Sequence, residues 1–203
     1  MTNKKKVALA VVVLTMLATV ITGSWAYFTD EATAHNVITT GGVKIELVEL
    51  QGYAEDDTPI PWPEGGVSAM PGVTVTKIVL INNIGRYDAW VRIKVSEVIT
   101  DADGQDISET FGSDSAPVVS LNFPENNGWH LEDDGYYYYD QPLGSGGSTK
   151  ALIESVMIAP GLPNDYQGCT ANVIVVAHAV QYNNNADKEG QTYKDALGWP
   201  AEN

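Results

Sequence analysis

The chain has 203 residues, with 26 acidic side chains against 11 Lys and Arg, a formal net charge of −15 and one cysteine, Cys169. Such an acidic chain has no basic footprint and excludes nucleic acid as a partner, because phosphate binding needs Lys and Arg to displace counterions. A single cysteine excludes an internal disulfide, so a chain of this length must hold together through an apolar core.

The first segment, "MTNKKKVALAVVVLTMLATVITGSWA", runs from a basic start (Lys4, Lys5, Lys6) through an uncharged apolar stretch, Val7 to Thr22, to small residues at Ser24 and Ala26. Basic, apolar, then small is the order of a secretory signal peptide. Cleavage between Ala26 and Tyr27 is expected, giving a signal peptide over 1–26, a secreted or cell-surface product, and membrane contact only as the precursor. The alternative is a retained anchor: counting on through Phe28 nearly reaches the roughly 20 apolar residues that a spanning helix needs. All 26 acids lie beyond Ala26, so the exported part is more acidic than the whole.

Residues 27–42 form a short arm with no clear period. From there the chain reads as strands and turns. "VKIELVEL" (43–50), "VTVTKIVLIN" (73–82) and "DAWVRIKVSEVI" (88–99) alternate or are rich in β-branched residues. So do "VVSLNF" (118–123), "GWHLE" (128–132), "YYYYD" (136–140), "TKALIESVMIA" (149–159) and "ANVIVVAHAVQY" (171–182). Period-2 alternation predicts half-buried strands. The connections, among them "PWPEGG", "NNIGRYD", "TDADGQD" and "PGLPNDYQG", supply turn residues. Many short strands at regular spacing predict an all-β, antiparallel sandwich or barrel, one domain over 43–182.

Two hairpins are expected. One joins "VTVTKIVLIN" to "DAWVRIKV" through Gly85 at positive φ, and the other joins "GWHLE" to "YYYYD" through Asp133, Asp134 and Gly135. Tyr136 to Tyr139 then place two rings on each sheet face. They read as core and rim covering, with a carbohydrate platform as the sharper alternative. The polar tail, 183–203, reads as a mobile end or a single helical turn over Thr192 to Leu197.

The search for chemistry returns little. His35, His130 and His178 are far apart in sequence, and HExxH, GxSxG, P-loop, GxGxxG and CxxC patterns are absent. "DADGQD" (101–106) fails the EF-hand spacing because Gly104 falls at the fourth position. Asp101, Asp103 and Asp106 remain weak calcium candidates beside the plainer reading of a strand-connecting turn, and no other cofactor or metal is expected. Cys169, between Gly168 and an apolar strand, reads as a buried structural residue.

The stretch "KKKVALAVVVLTMLATVITGSWAYFTDEATAHNVITTGGVKIEL" resembles the SipW-cognate class of exported proteins, the TasA/camelysin family. The matching features are a signal ending in Gly-x-Trp-Ala (Gly23 to Ala26), the "YFTD" after it, Asn36, and "ITTGG" before the first strand. Looser likenesses run through "MPGVTVTKIVLINNIGRYDAWVRIKV" and "GWHLEDDGYYYYDQPLGSGGST". The resemblance implies a jelly-roll-like sandwich, a dedicated signal peptidase during export, and self-association into biofilm-matrix or pilus-like fibres. It also implies a metalloendopeptidase label, for which the sequence carries no zinc motif.

The arm then has a candidate role. Tyr27, Phe28, Ala32, Ala34, Val37 and Ile38 would insert along a neighbour's open sheet edge by strand donation. The plainer reading is that the arm folds back as its own domain's first strand. Three functions stay open: a structural fibre subunit, a secreted metal-dependent peptidase, and a monomeric cell-surface binding module.

Overall fold

The computed structural model describes residues 42–200, apart from residues 65, 68, 109–116, 161, 163–165, 167 and 186–191. The expected signal peptide, its expected cleavage site at Ser24, Ala26 and Tyr27, the expected arm residues Tyr27, Phe28, Ala32, Ala34, Val37 and Ile38, and His35 all lie outside the described residues.

Among the described residues nine strands follow in chain order: β1 (Ile45–Tyr53), β2 (Pro59–Pro61), β3 (Thr74–Asn83), β4 (Ala89–Thr100), β5 (Val119–Asn122), β6 (Trp129–Leu131), β7 (Tyr136–Tyr139), β8 (Ile153–Ile158) and β9 (Thr170–Gln181). They form two antiparallel sheets. The front sheet has the order β2-β1-β3-β8-β5 and the back sheet β6-β7-β4-β9. Of the all-β sandwich and barrel that the strand pattern leaves open, the chain adopts the sandwich. The core lies where the inward halves of the alternation meet: Ile45, Val79, Ile81 and Ile153 from the front sheet, and Val91, Ile93, Val173 and Val175 from the back. Burial of these branched side chains is the main driving force for closing two sheets on each other.

The first expected hairpin is not one. β3 belongs to the front sheet and β4 to the back, so the chain between them is an arch that carries it across the core. Both strands present apolar inner faces, and placing them in opposite sheets lets each cover the other. Asn83 fastens the arch from inside. Its Nδ2 donates to Tyr87 O at 2.9 Å and Leu143 O at 2.8 Å, and its Oδ1 accepts from Gly85 N at 2.9 Å. Gly85 is not at positive φ. It is required for close approach, since a Cβ there would sit 2.6 Å from Lys44 N. The second hairpin is as expected: β6 pairs with β7, and Gly135 adopts φ +78°.

β2 is a strand that the alternation did not mark; it ends at Pro61, where the expected turn "PWPEGG" begins. Its two prolines suit the outer edge of a sheet, where a missing N–H costs no ladder bond. Lys77 turns inward from β3 and is buried with its Nζ 2.9 Å from Glu49, under the ring of Trp62 at 4.3 Å. A cavity of about 50 Å³ beside them is lined by Val75, Val119, Val156 and Val173.

A candidate assembly edge and a covered aromatic face

The twelve residues of β9, "TANVIVVAHAVQ", contain no Lys, Arg, Asp, Glu or Pro. β9 is an end strand of the back sheet, and among the described residues no strand pairs with its outer side. Tyr182 N–H donates to Asp88 O, and residues alternate from there along the β4–β9 register. The backbone groups of Ala171, Val173, Val175, Ala177, Ala179 and Gln181 therefore point away from β4, toward the open edge. Natural sheets blunt such edges with charge, proline or brevity. β2 and β6 are three residues long and β5 four; β9 uses none of these devices.

The arm is rooted at the same end of the sandwich. Val43 is buried in the core, and Gly42 sits at φ +91° against the Tyr87 ring, beside the arch between β3 and β4. The last residue of β9, Gln181, pairs with Ala89 just past that arch. Residues 27–41, fully extended, would span about 50 Å at ~3.3 Å per residue, enough to run the length of the edge.

On the outer face of the back sheet, His130, Tyr138, Arg92 and His178 form one cross-strand row in register. The Arg92 guanidinium is buried there. Nη1 donates to the Tyr138 hydroxyl at 3.0 Å, Nη2 to Pro200 O at 2.9 Å, and Nε to His178 Nδ1 at 3.3 Å. Its Cζ lies 3.8 Å from the centre of the Tyr136 ring and 4.8 Å from that of the Trp199 ring, two cation–π contacts. Residues 192–200 cover the row. Tyr193 stacks on Tyr138, Ala196 packs with Trp90 and Val180, and Trp199 meets Tyr138 edge-on. This explains why β4 is buried on both faces from Ala89 to Ile93. The helical turn expected over Thr192 to Leu197 is present as a 3-10 turn, Tyr193–Asp195, and the described tail is docked, not a mobile end.

Glu132 holds the other end of this strap. It accepts from the Tyr193 hydroxyl at 2.7 Å and faces Lys194 Nζ at 2.9 Å. Hydrogen bonds from Lys194 and then Tyr193 lower the Glu132 pKa, and its carboxylate raises that of Lys194. Burial, followed by the Asp134 hydrogen bond, pushes the Tyr138 phenol up. The four tyrosines divide as expected. Tyr137 and Tyr139 pack on the core, while Tyr136 and Tyr138 stand on the covered outer face.

The calcium candidates serve their own loop. Asp101 Oδ1 accepts from Asp103 N at 3.0 Å and Gln105 N at 2.8 Å, while Asp106 Oδ1 accepts from Ser108 N and Oγ. The Ser108 hydrogen bonds lower the Asp106 pKa. Gly104 takes φ +80° in the turn. Among the described residues no three His, Cys, Asp or Glu side chains come together as metal ligands. His130 faces Asp140 at 3.5 Å and His178 faces Arg92, so the two histidines share a row but not a site. Cys169 is half-buried against the core, and burial, then the Asp101 charge, raises its pKa, which disfavours the reactive thiolate.

No family model matches the chain, and no curated protein matches it. Among solved structures, the ASH / PapD-like domain of human CEP192 (PapD-like domain 7) aligns at 14% identity, covering 73% of this chain and 94% of its own, with a TM-score of 0.29. The outer-face row and the strap were the features that strand-by-strand reading missed. The signal for them was Tyr193 and Trp199, two large aromatics in a mostly polar tail with no local partner in sequence.

Proposed function

We propose that this chain is an exported structural subunit that assembles into extracellular fibres by strand donation. In this reading residues 27–41 of one copy pair along the β9 edge of the next. The observation that supports it is β9 itself: twelve uncharged, proline-free residues with a row of backbone donors and acceptors turned outward. A head-to-tail contact of this kind propagates into a filament when its rotation does not close a ring. The resemblance of the first 45 or so residues to the SipW-cognate exported class supports the same reading, as does the signal-like start. Processing by a dedicated signal peptidase after Ala26 belongs to this proposal.

Energetics put the specificity in the arm's apolar positions. Ordering the arm costs about 1–2 kcal/mol per residue, while each backbone hydrogen bond contributes net about 0.5–1.5 kcal/mol. The balance then rests on Tyr27, Phe28, Val37 and Ile38, each contributing about 1.5–3 kcal/mol if fully buried. The test is electron microscopy of purified protein with and without residues 27–36. Filaments from the intact chain and a folded monomer from the deletion are expected. Filaments from both would show that the arm is not the joint, and an unfolded deletion would show that the arm is the domain's own first strand.

A further inference from the structure

The inward half of the β4 alternation runs Val91, Ile93, Val95, then Glu97, then Ile99. One acid interrupts a row that otherwise faces the core. It stands in a cleft at the side of the sandwich, which exists because β7 is shorter than the strand it pairs with. β7 reaches only to Tyr136, opposite Lys94, and among the described residues β4 has no further neighbour on that side until Asp106 bridges Thr100. β5 is the end strand of the facing sheet. The space left between them is about 450 Å³, lined by Val95 and Glu97, by Val119 and Leu121 of β5, and by the rings of Phe123 and Tyr137. That volume lies within the roughly 300–1,000 Å³ of small-molecule sites. The two rings stack at 5.0 Å. Glu97 is the one charged residue among those described there, exposed at the mouth of the cleft. Burial against the apolar walls raises its pKa, and no hydrogen bond or opposite charge among the described residues offsets that. Burial, then the Glu97 charge, raises the Tyr137 phenol, so the acid and the ring are electrostatic neighbours.

We propose that this cleft binds a small organic cation, an ammonium ion on an apolar body. A carboxylate partly stripped of water and left without a counter-ion is unfavourable until a positive charge joins it. Glu97 supplies that charge complement, and the faces of Phe123 and Tyr137 add cation–π attraction. The walls from Val95, Val119 and Leu121 take the apolar part out of water. The net charge of −15 draws cations toward the site. The same carboxylate repels an anion, and a neutral ligand leaves it unpaired. The cleft lies on the side of β4 away from β9, so its occupancy and the strand donation proposed above stand or fall separately.

The experiment titrates three probes that share one ring and differ in the head group: phenethylammonium, phenylethanol and phenylacetate. Each is added to the full-length protein in a calorimeter at physiological salt, which screens the general attraction of an acidic surface. Phenethylammonium is expected to bind about tenfold tighter than the alcohol, the scale of one charge-assisted contact, with phenylacetate weakest. Glu97→Gln keeps the shape of the side chain and is expected to erase the preference while leaving the alcohol unchanged. Glu97→Lys is expected to reverse the order and favour phenylacetate. Both variants are checked by circular dichroism, and Glu97 is exposed enough for either to fold. No saturable binding of phenethylammonium at millimolar concentrations overturns the proposal. So does equal affinity for the ammonium and the alcohol, or a preference for the ammonium that survives in Glu97→Gln.

Discussion

The two edges of the back sheet are built on opposite plans. β6 is three residues long, ends beside Glu132, and is overhung by the strap through the stacked rings of His130 and Tyr193. β9 is twelve residues long, carries no formal charge or proline, and turns its inner side to the core through Val173, Val175, Ala177 and Ala179. The same sheet thus has one edge too short and too covered to accept another strand, and one that is long, regular and uncharged. Edge pairing is a hazard that sequences usually suppress. Among the described residues one edge is left unsuppressed and the other closed, the asymmetry that the proposed head-to-tail assembly would use.

The comparison can be broken most strongly at β9. Ile174→Lys places a charge on the outer face of the open edge strand without touching the β4 ladder or the core. It is expected to reduce filament yield at least tenfold by electron microscopy while leaving the circular dichroism unchanged. The corresponding charge on β6, Leu131→Lys, falls on an exposed side chain and should leave filaments unaltered. Equal loss from both would mean that the two edges do not differ in function.

Next in size is the buried guanidinium on the covered face. Arg92→Ala leaves the Tyr138 hydroxyl and Pro200 carbonyl without their donor and opens a gap beside Tyr136 and Trp199. A loss of about 2–4 kcal/mol in urea denaturation is expected for removing a buried, hydrogen-bonded charge. Arg92→Lys should recover only part of this, since an ammonium cannot match a planar fork in contact with two rings. A change within experimental error would mean that the strap does not stabilise the sheet.

A smaller effect lies in acid. The Glu132 carboxyl is lowered from its ordinary value of 4.5 by the Lys194 and Tyr193 hydrogen bonds. A depressed carboxylate contributes stability that is present above its unfolded value and is lost as pH falls through the folded one. The strap should therefore loosen below about pH 4.5, the ordinary value of that carboxyl. The readout is the tryptophan emission of Trp90 and Trp199. Glu132→Gln should flatten that dependence and leave the neutral-pH emission of a docked strap nearly intact. A profile identical to the parent's would place the acid sensitivity elsewhere. Smallest of all, chelation should not move the melting temperature by a measurable amount, because Asp101 and Asp106 already satisfy their own loop. A drop on adding EDTA would restore them as calcium ligands.

Much of this was readable along the chain, for a local reason. A strand's side chains alternate with period two, so "VKIEL", "AWVRIKV" and "ANVIVVAHAV" each show which residues turn inward before any partner is known. Turn chemistry is local too, which is why Asp133, Asp134 and Gly135 mark a hairpin correctly, and why "DADGQD" reads as a turn. What alternation does not carry is the identity of the neighbour. The same "NNIGRYD" suits a hairpin within one sheet or an arch between two. The choice fell to Asn83, whose amide reaches Leu143, sixty residues away in the chain. Trp90 and Arg92 occupy the outward half of the alternation and look exposed from sequence, yet they are buried because Trp199 and Ala196 arrive from the far end of the chain. Local pattern determined the strands and their faces, because φ, ψ and side-chain alternation are set within a few residues. Sheet membership and the covering of the outer face were decided only by tertiary structure, because they depend on contacts between residues from 60 to 108 positions apart.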